Sequence, residues 1–349
     1  MKESVFLQAC CREPTAYTPV WLMRQAGRYM AEYRALRERV SFLTLCKNPE
    51  LAAQVTVEAV ERLGVDAAII FADILLIVEP MGVGLEFAQG DGPVIHRPVR
   101  SGADVDNLRE DDPRETVPFV FEAVRQAQAR LPANIPLIGF SGAPFTVASY
   151  MIEGGGSKNY IETKRLMYND PGAWRALMER LVRIITAYVN AQIEAGAQAV
   201  QLFDSWIGCL SPADYRTSIL PHMKTLFASI IPGTPVIHFG TDTSGLLELM
   251  AEAGGSVLGV DWRIDLDTAW QRIGYDRAIQ GNLDPVTLFA SQDEIRRQVK
   301  RVLAMTQGRP GHIFNLGHGI LPQTPVGNVV ALVKMVHEVS EELRMKNEK

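Results

Sequence analysis

Eight times along this chain a short run rich in Val, Ile, Leu and Phe gives way to a longer segment with amphipathic spacing. The runs are TPVWLM (18–23), DAAIIFA (66–72), IPLIGF (135–140), AQAVQLF (197–203), TPVIHF (234–239), SVLGVD (256–261), RAIQGN (277–282) and GHIFNL (311–316). Such runs suit strands buried on both faces. The segments 48–64, 112–131, 170–196, 211–231, 243–254, 291–308 and 324–344 carry helical periodicity, and several open on Asn, Ser, Asp or Thr before Pro and close on Gly, as helix termini do. Strict alternation of this kind predicts an α/β fold, a (β/α)8 barrel in a single domain over residues 1–349. A doubly wound open sheet is the competing architecture, but no strand here runs into G-x-G-x-x-G, and the glycine run EGGGSKN follows a helical stretch. Between Asp73 and the third run lies an insertion too long for a simple loop, with QGDG (89–92) between two alternating stretches; it predicts a β-hairpin at one mouth of the barrel.

Composition narrows the function classes. A net charge of -5 gives no general electrostatic footprint for nucleic acid or an anionic membrane, so any bound anion needs a local basic cluster. The longest apolar run, DAAIIFADILLIV, is interrupted by Asp73 and falls short of the ~20 residues of a membrane helix, and the first residues are too polar for a signal-peptide core. A cytoplasmic protein is expected. Cys10, Cys11, Cys46 and Cys209 show no C-x-x-C spacing and are expected to be reduced and structural.

Barrels of this kind place their chemistry at the carboxyl ends of the strands. The residues expected there are Arg24 with Gln25, Asp73, Ser141, Asp204 with Ser205, Gly240, Asp261, Asn282 and His318. None of the nine lysines is among them, which disfavours a Schiff-base enzyme. The first strand lacks the H-x-H of a metallohydrolase; Asp204, Asp261, His238 and His318 are the remaining conceivable metal donors, scattered over separate strands, and no metal is expected.

Arg24 and Arg28 present planar forks suited to carboxylate or phosphate, with structural ion pairing as the other reading. Asp73 stands between apolar runs, where a carboxylate is costly without donors or a cation; a catalytic and an architectural role both fit. Tyr150 lies on an expected helix before three glycines. His318, between Gly317 and Gly319, suits close backbone approach to a ligand as well as a backbone hydrogen bond.

The segments PVWLMRQAGRYMAEYR, FADIL, SGAPFTVASYMIEGGGS, QLFDSW, IQGNLDP and FNLGHGI, taken in order over nearly the whole chain, resemble the uroporphyrinogen decarboxylase family. The resemblance implies a (β/α)8 barrel, a homodimer and no metal or organic cofactor. It also implies conversion of the four acetate side chains of uroporphyrinogen III to methyl groups, giving coproporphyrinogen III. It further implies that Arg24, Gln25 and Arg28 hold substrate carboxylates, that Asp73 receives the pyrrole N–H groups, and that Tyr150, Phe203, Ser205 and His318 complete the lining. Asp73, Arg24 and Tyr150 are then the candidate catalytic residues, with the proton donor open among Arg24, Tyr150, His318 and a bound water. The rivals are a zinc-dependent corrinoid or thiol methyltransferase of related fold, disfavoured because Gly240 stands where an H-x-C motif would place a thiol, and a tetrapyrrole-binding carrier.

Overall fold

The computed structural model describes residues 4–88 and 92–347. Seven strands form one parallel sheet in the spatial order β1-β4-β5-β6-β7-β8-β9: β1 (Ala68–Ile69), β4 (Leu137–Gly142), β5 (Ala199–Asp204), β6 (Val236–Gly240), β7 (Val257–Gly259), β8 (Ala278–Gln280) and β9 (His312–Ile313). Neighbours follow one another in sequence, with Ile138 opposite Ala199, Val200 opposite Val236 and Ile279 opposite His312. That order curls the sheet on itself, as repeated right-handed crossovers dictate.

The first of the eight runs departs from expectation. Instead of a strand, it makes a single bridge, Val20 to Phe314. Two features account for this. Pro19 has no N–H to donate, and the Val20 N–H goes to the buried Asp66 carboxylate at 2.8 Å, which also accepts from Tyr17 and pairs with His337. Hydrogen bonds nonetheless run from this segment to both edges of the sheet: Phe314 N–H donates to Pro19 O at 2.8 Å, and Asp66 N–H to Val20 O at 2.8 Å.

Helices cover the outer face. Two expected continuous helices are broken, each at a proline. Segment 112–131 divides into Pro113–Thr116 and Pro118–Arg130, because the residue before Pro118 is pushed out of the helical region, Val117 lying at φ -131° and ψ 45°. Segment 211–231 divides into Pro212–Ser218 and Leu220–Ser229, where Pro221 has no N–H to bond back into the preceding turn. The long helices Pro171–Ala195 and Pro49–Leu63 form as expected, each capped by an Asn or Asp side chain and ended by glycine.

Two apolar clusters result. The larger lies between sheet and helices. The smaller fills the inside of the curled sheet with Trp21, Ile138, Ile237, Phe239 and Ile313, and it includes Phe6, Leu7 and Cys10 of the helix Val5–Cys10. That helix, absent from the sequence expectations, packs beside β9 and contributes its apolar face to the interior. Trp21 is accommodated there because its indole N–H reaches Gln280 Oε1 at 2.9 Å, and Gln280 in turn donates to Gln201 Oε1 at 3.0 Å.

The insertion after β1 begins with two helical turns, Leu76–Val78 and Glu79–Val83, and continues as β2 (Leu85–Ala88) paired antiparallel with β3 (Gly92–Ile95), Leu85 opposite Ile95. Residues 89–91 of the expected QGDG turn lie outside the described residues. The pair docks on the glycine run: Ile95 N–H donates to Gly154 O and Val99 N–H to Met151 O, both at 2.9 Å. An aromatic row, Phe87, Phe42, Phe71 and Tyr33, links the ribbon to the segment that ends at Asp73.

Candidate functional site at the carboxyl ends of the strands

Arg24 follows the bridged first segment in a left-handed backbone conformation, φ +61°, which costs a non-glycine residue of order 1 kcal/mol and is held here by its surroundings. The brace is Gln25. Its side chain is only 1% exposed; Oε1 accepts from Leu22 N–H and Nε2 donates to Ala67 O, both at 3.2 Å. Gln25 was expected to line the opening beside the arginines. Both ends of its amide are instead occupied by backbone, because the turn that presents Arg24 needs a tie to the neighbouring strand. Tyr29 adds a second tie through its hydroxyl to Gln25 O at 2.6 Å, and Arg34 bonds the carbonyls of Arg28 and Tyr29 at 2.9 Å each.

Neither Arg24 nor Arg28 makes a side-chain hydrogen bond or ion pair with any described residue. The contrast with the rest of the chain is sharp, since Arg183, Arg272 and Arg297 each grip a glutamate with both nitrogens of the fork. Both side chains are solvent-accessible although protein packs closely around the base of Arg24. That crowding, reinforced by Arg28, lowers the Arg24 pKa from its ordinary value, while Tyr150 and Asp73 pull the other way.

Asp73 stands deep in the same opening. One carboxylate oxygen accepts Leu75 N–H at 2.8 Å, and no other described residue donates to the carboxylate. Desolvation raises its pKa to about 6, opposed by the Leu75 hydrogen bond and by Arg24. Part of its surface remains open, so the desolvation comes from surrounding protein and not from complete enclosure.

Tyr150 is carried in by the helix Pro144–Glu153, with its ring 5.9 Å from that of Trp206. Burial is the largest influence raising its pKa, with Asp73 adding to it and Trp206 and Arg24 opposing. Phe203 packs edge-on against Phe140 and Phe239 and keeps part of its face exposed. Ser205 is half-buried beside it, its carbonyl accepting from Thr241. At His318, Nδ1 accepts Gly319 N–H at 2.6 Å, so the neutral ring carries its proton on Nε2; burial, then Arg24 and Arg263, push the pKa down to about 4.

The glycines flanking His318 allow close approach of protein neighbours. A Cβ at Gly319 would lie 2.6 Å from Arg24 Cγ and 2.9 Å from its Nε, and one at Gly317 would lie 2.7 Å from Trp262 N. Arg24 thus stands within electrostatic reach of Arg28, Asp73, Tyr150 and His318 at the carboxyl-end opening of the sheet, where β5 ends with Phe203 and Asp204 and the chain continues into Ser205.

Other expected strand-end residues face elsewhere. Ser141 lies inside β4, fully buried, with its hydroxyl on Gly142 O. Asp204 accepts from Thr146 at 3.0 Å, and Thr146 in turn receives Trp206 N–H. His238 lies 3.6 Å from Asp204 and against Phe227 of the helix Leu220–Ser229, so it points toward the helix layer while His318 stands at the opening. Among the described residues no group of three or more His, Cys, Asp or Glu is placed to hold a metal ion, which removes the set Asp204, Asp261, His238 and His318. A groove of about 380 Å³ lined by Met30, Tyr33, Glu32, Glu58, Glu61 and Arg62 opens between the helices Ala31–Arg39 and Pro49–Leu63; its acidic rim is unsuited to an anion. Trp206, which steers Tyr150, and Arg263, which faces His318, were not among the expected site residues.

A family model described as uroporphyrinogen decarboxylase matches residues 1–339. The chain belongs to the uroporphyrinogen decarboxylase family. Curated relatives bearing that name include one from Carboxydothermus hydrogenoformans, 58% identical over 96% of each chain, and one from Sorangium cellulosum, 56% identical over 96% of each. Among solved structures, a methyltransferase from Methanosarcina mazei superposes with a TM-score of 0.79 at 22% identity, covering 96% of this chain and 98% of that one. A putative vitamin-B12 independent methionine synthase from Listeria monocytogenes superposes at 0.60 and 12% identity, over 93% and 98%. At those identities the likeness speaks for the fold alone. No helix of the described residues is long and apolar enough to cross a membrane.

Proposed function

We propose that the chain decarboxylates the four acetate side chains of uroporphyrinogen III to methyl groups, giving coproporphyrinogen III, without metal or organic cofactor. The observation that carries this reading is Arg24, with Arg28 beside it and neither paired with any described residue, within electrostatic reach of the desolvated Asp73, whose second oxygen accepts from no described residue. Arg24 and Arg28 bind substrate carboxylates through bidentate bonds, a local solution to anion binding in a chain of net charge -5.

The chemistry needs an electron sink. Protonation of the pyrrole carbon beside the acetate-bearing carbon makes the ring an iminium-like cation; the C–CO2 bond electrons then flow into it as CO2 leaves, producing a neutral exocyclic methylene. A second proton delivered to that methylene completes the methyl group, and loss of the first restores the aromatic ring. Asp73, accepting from the pyrrole N–H groups, stabilises the cation, and its effect is greater where water is scarce. With its pKa near 6 it is mostly ionised at neutral pH.

Three candidate proton donors differ in environment. Tyr150 is weakened as an acid, and His318 is neutral with its pKa near 4. Crowding and Arg28 lower the Arg24 pKa from its ordinary value, a direction that eases proton release without making the guanidinium a strong acid, and Tyr150 orients the acetate between Arg24 and Asp73. Gln25 acts by holding the Arg24 turn. Phe203, Ser205 and His318 complete the wall.

The same reading treats 1–349 as one closed (β/α)8 barrel, supported by the hydrogen bonds of segment 19–21 to both sheet edges, working as a cytoplasmic homodimer that binds neither nucleic acid nor membrane. Trapped CO2 from anaerobic uroporphyrinogen III tests the activity: release should approach four per macrocycle with the native chain and fall at least a hundredfold for Asp73→Asn. Equal release by both proteins would remove Asp73 from the mechanism.

A further inference from the structure

We propose that Arg263 is a third carboxylate-binding arginine of the opening, holding an outer side-chain carboxylate of the porphyrinogen on the His318 side. This rests on the reading of the site as a porphyrinogen pocket, and it identifies a subsite of that pocket.

The placement comes from the backbone. β7 ends at Gly259 and the chain continues through Asp261, Trp262 and Arg263 at the same end of the sheet as Arg24 and Asp73. The loop bearing His318 is pressed against this segment: Gly317 has no space for a side chain because Trp262 N and Asp261 Cα lie 2.7 and 2.9 Å from where a Cβ would stand. Two residues on, Gly319 is pressed in the same way against the Arg24 side chain. Arg24, His318 and the Trp262–Arg263 pair therefore follow one another around the rim.

The guanidinium is held in place and left partly unused. Asp261, 2% exposed, accepts Asp242 N–H at 2.7 Å, Arg263 N–H at 3.1 Å and one terminal nitrogen, Nη1, of the Arg263 side chain. The guanidinium lies 4.5 Å from the centre of the Trp262 ring, an arrangement suited to a planar cation. Nε and Nη2 bond to no described residue, and the side chain is 44% exposed. With one corner of the fork anchored and stacked, less rotamer entropy remains to be lost on binding, and the Nε/Nη2 edge matches a carboxylate.

Substrate chemistry supplies the need. Uroporphyrinogen carries four acetates and four propionates, of which Arg24 and Arg28 can each hold one bidentately. Carboxylates remaining at the rim would meet a protein of net negative charge unless another fork receives them. If Arg263 served only to neutralise Asp261, a lysine would do as well, since two backbone amides already reach that carboxylate.

Oxidised uroporphyrin, a fluorescent octacarboxylate that does not turn over, is the probe. Titration into native protein, Arg263→Gln and Arg263→Lys, with thermal midpoints alongside, should show affinity falling about tenfold for Arg263→Gln, equivalent to about 1.4 kcal/mol, with an unchanged midpoint. Arg263→Lys, which keeps the charge beside Asp261 but loses the fork, should recover only part of that loss. In turnover, KM for uroporphyrinogen III should rise while kcat stays within about twofold. Native affinity in Arg263→Gln would overturn the proposal; so would a loss of affinity that tracks a lowered midpoint and is fully restored in Arg263→Lys. A native protein that binds uroporphyrin but leaves uroporphyrinogen undecarboxylated would defeat the activity assignment and still let the titrations decide Arg263.

Discussion

Replacing Asp73 by Asn should make the folded protein more stable at pH 8 while depriving it of activity. In the native chain the carboxyl titrates near 6 instead of 3.8, so its charged form is disfavoured on folding. At ~1.4 kcal/mol per pH unit, that displacement corresponds to a cost of at most about 3 kcal/mol above pH 7. The attraction to Arg24 and the Leu75 hydrogen bond are already contained in this net value. Asn keeps an oxygen for Leu75 N–H and carries no charge, so a gain of roughly 1–3 kcal/mol is expected at pH 8. The sign follows from linkage. A carboxyl with a raised folded pKa binds more protons in the folded state between pH 3.8 and about 6, so its contribution to stability declines as pH rises through that window and is absent as a penalty below it. The native and Asp73→Asn proteins should therefore converge toward pH 4. Urea unfolding midpoints at pH 4 and pH 8 measure this directly. A substitution that destabilises at pH 8, or one whose effect is equal at both pH values, would refute the argument that desolvation dominates at this carboxylate.

Gly319→Ala places a methyl group into the Arg24 side chain, so turnover should fall at least tenfold by displacing that arginine, with the thermal midpoint little changed because Arg24 is accessible. Normal kinetics would mean that the position of Arg24 is not critical. His318 should show the nitrogen shifts of a neutral imidazole protonated on Nε2 at pH 6 and titrate near 4; an imidazolium at pH 6 would restore it as a proton donor. Thr146→Val removes the hydroxyl that links Asp204 to Trp206 N–H, leaving a fully buried carboxylate oxygen without its donor, and should cost about 1–3 kcal/mol in urea unfolding. A loss under about 0.5 kcal/mol would show that the link is dispensable.

The sheet was legible because strands buried on both faces must be apolar throughout, and seven of the eight runs form ladders. The first was misleading for a local reason: Pro19 lacks a donor and the Val20 amide is taken by Asp66, a partner far along the chain that no periodicity reveals. Both broken helices carried their signal, Pro118 and Pro221, inside otherwise continuous amphipathic stretches. Arg24 and Asp73 stood out as charges ending apolar runs, and the structure brings the two within electrostatic reach of one another. The two readings of Arg24 separate only in three dimensions, where no carboxylate of the described residues pairs with it. The bracing role of Gln25 and the placement of Arg263 were not legible, since the direction of a side chain after a tight turn depends on neighbours such as Ala67, Asp261 and Trp262. For Gly317 and Gly319 the requirement for close approach was readable, but not that Trp262 and Arg24 make it.

The most direct test of cofactor-free decarboxylation is an anaerobic incubation of the chelator-treated native protein with uroporphyrinogen III, followed by oxidation and chromatographic counting of carboxyl groups. A ladder of seven-, six-, five- and four-carboxyl porphyrins is the expected result. Unchanged eight-carboxyl material, or turnover that returns only on adding zinc, would contradict it.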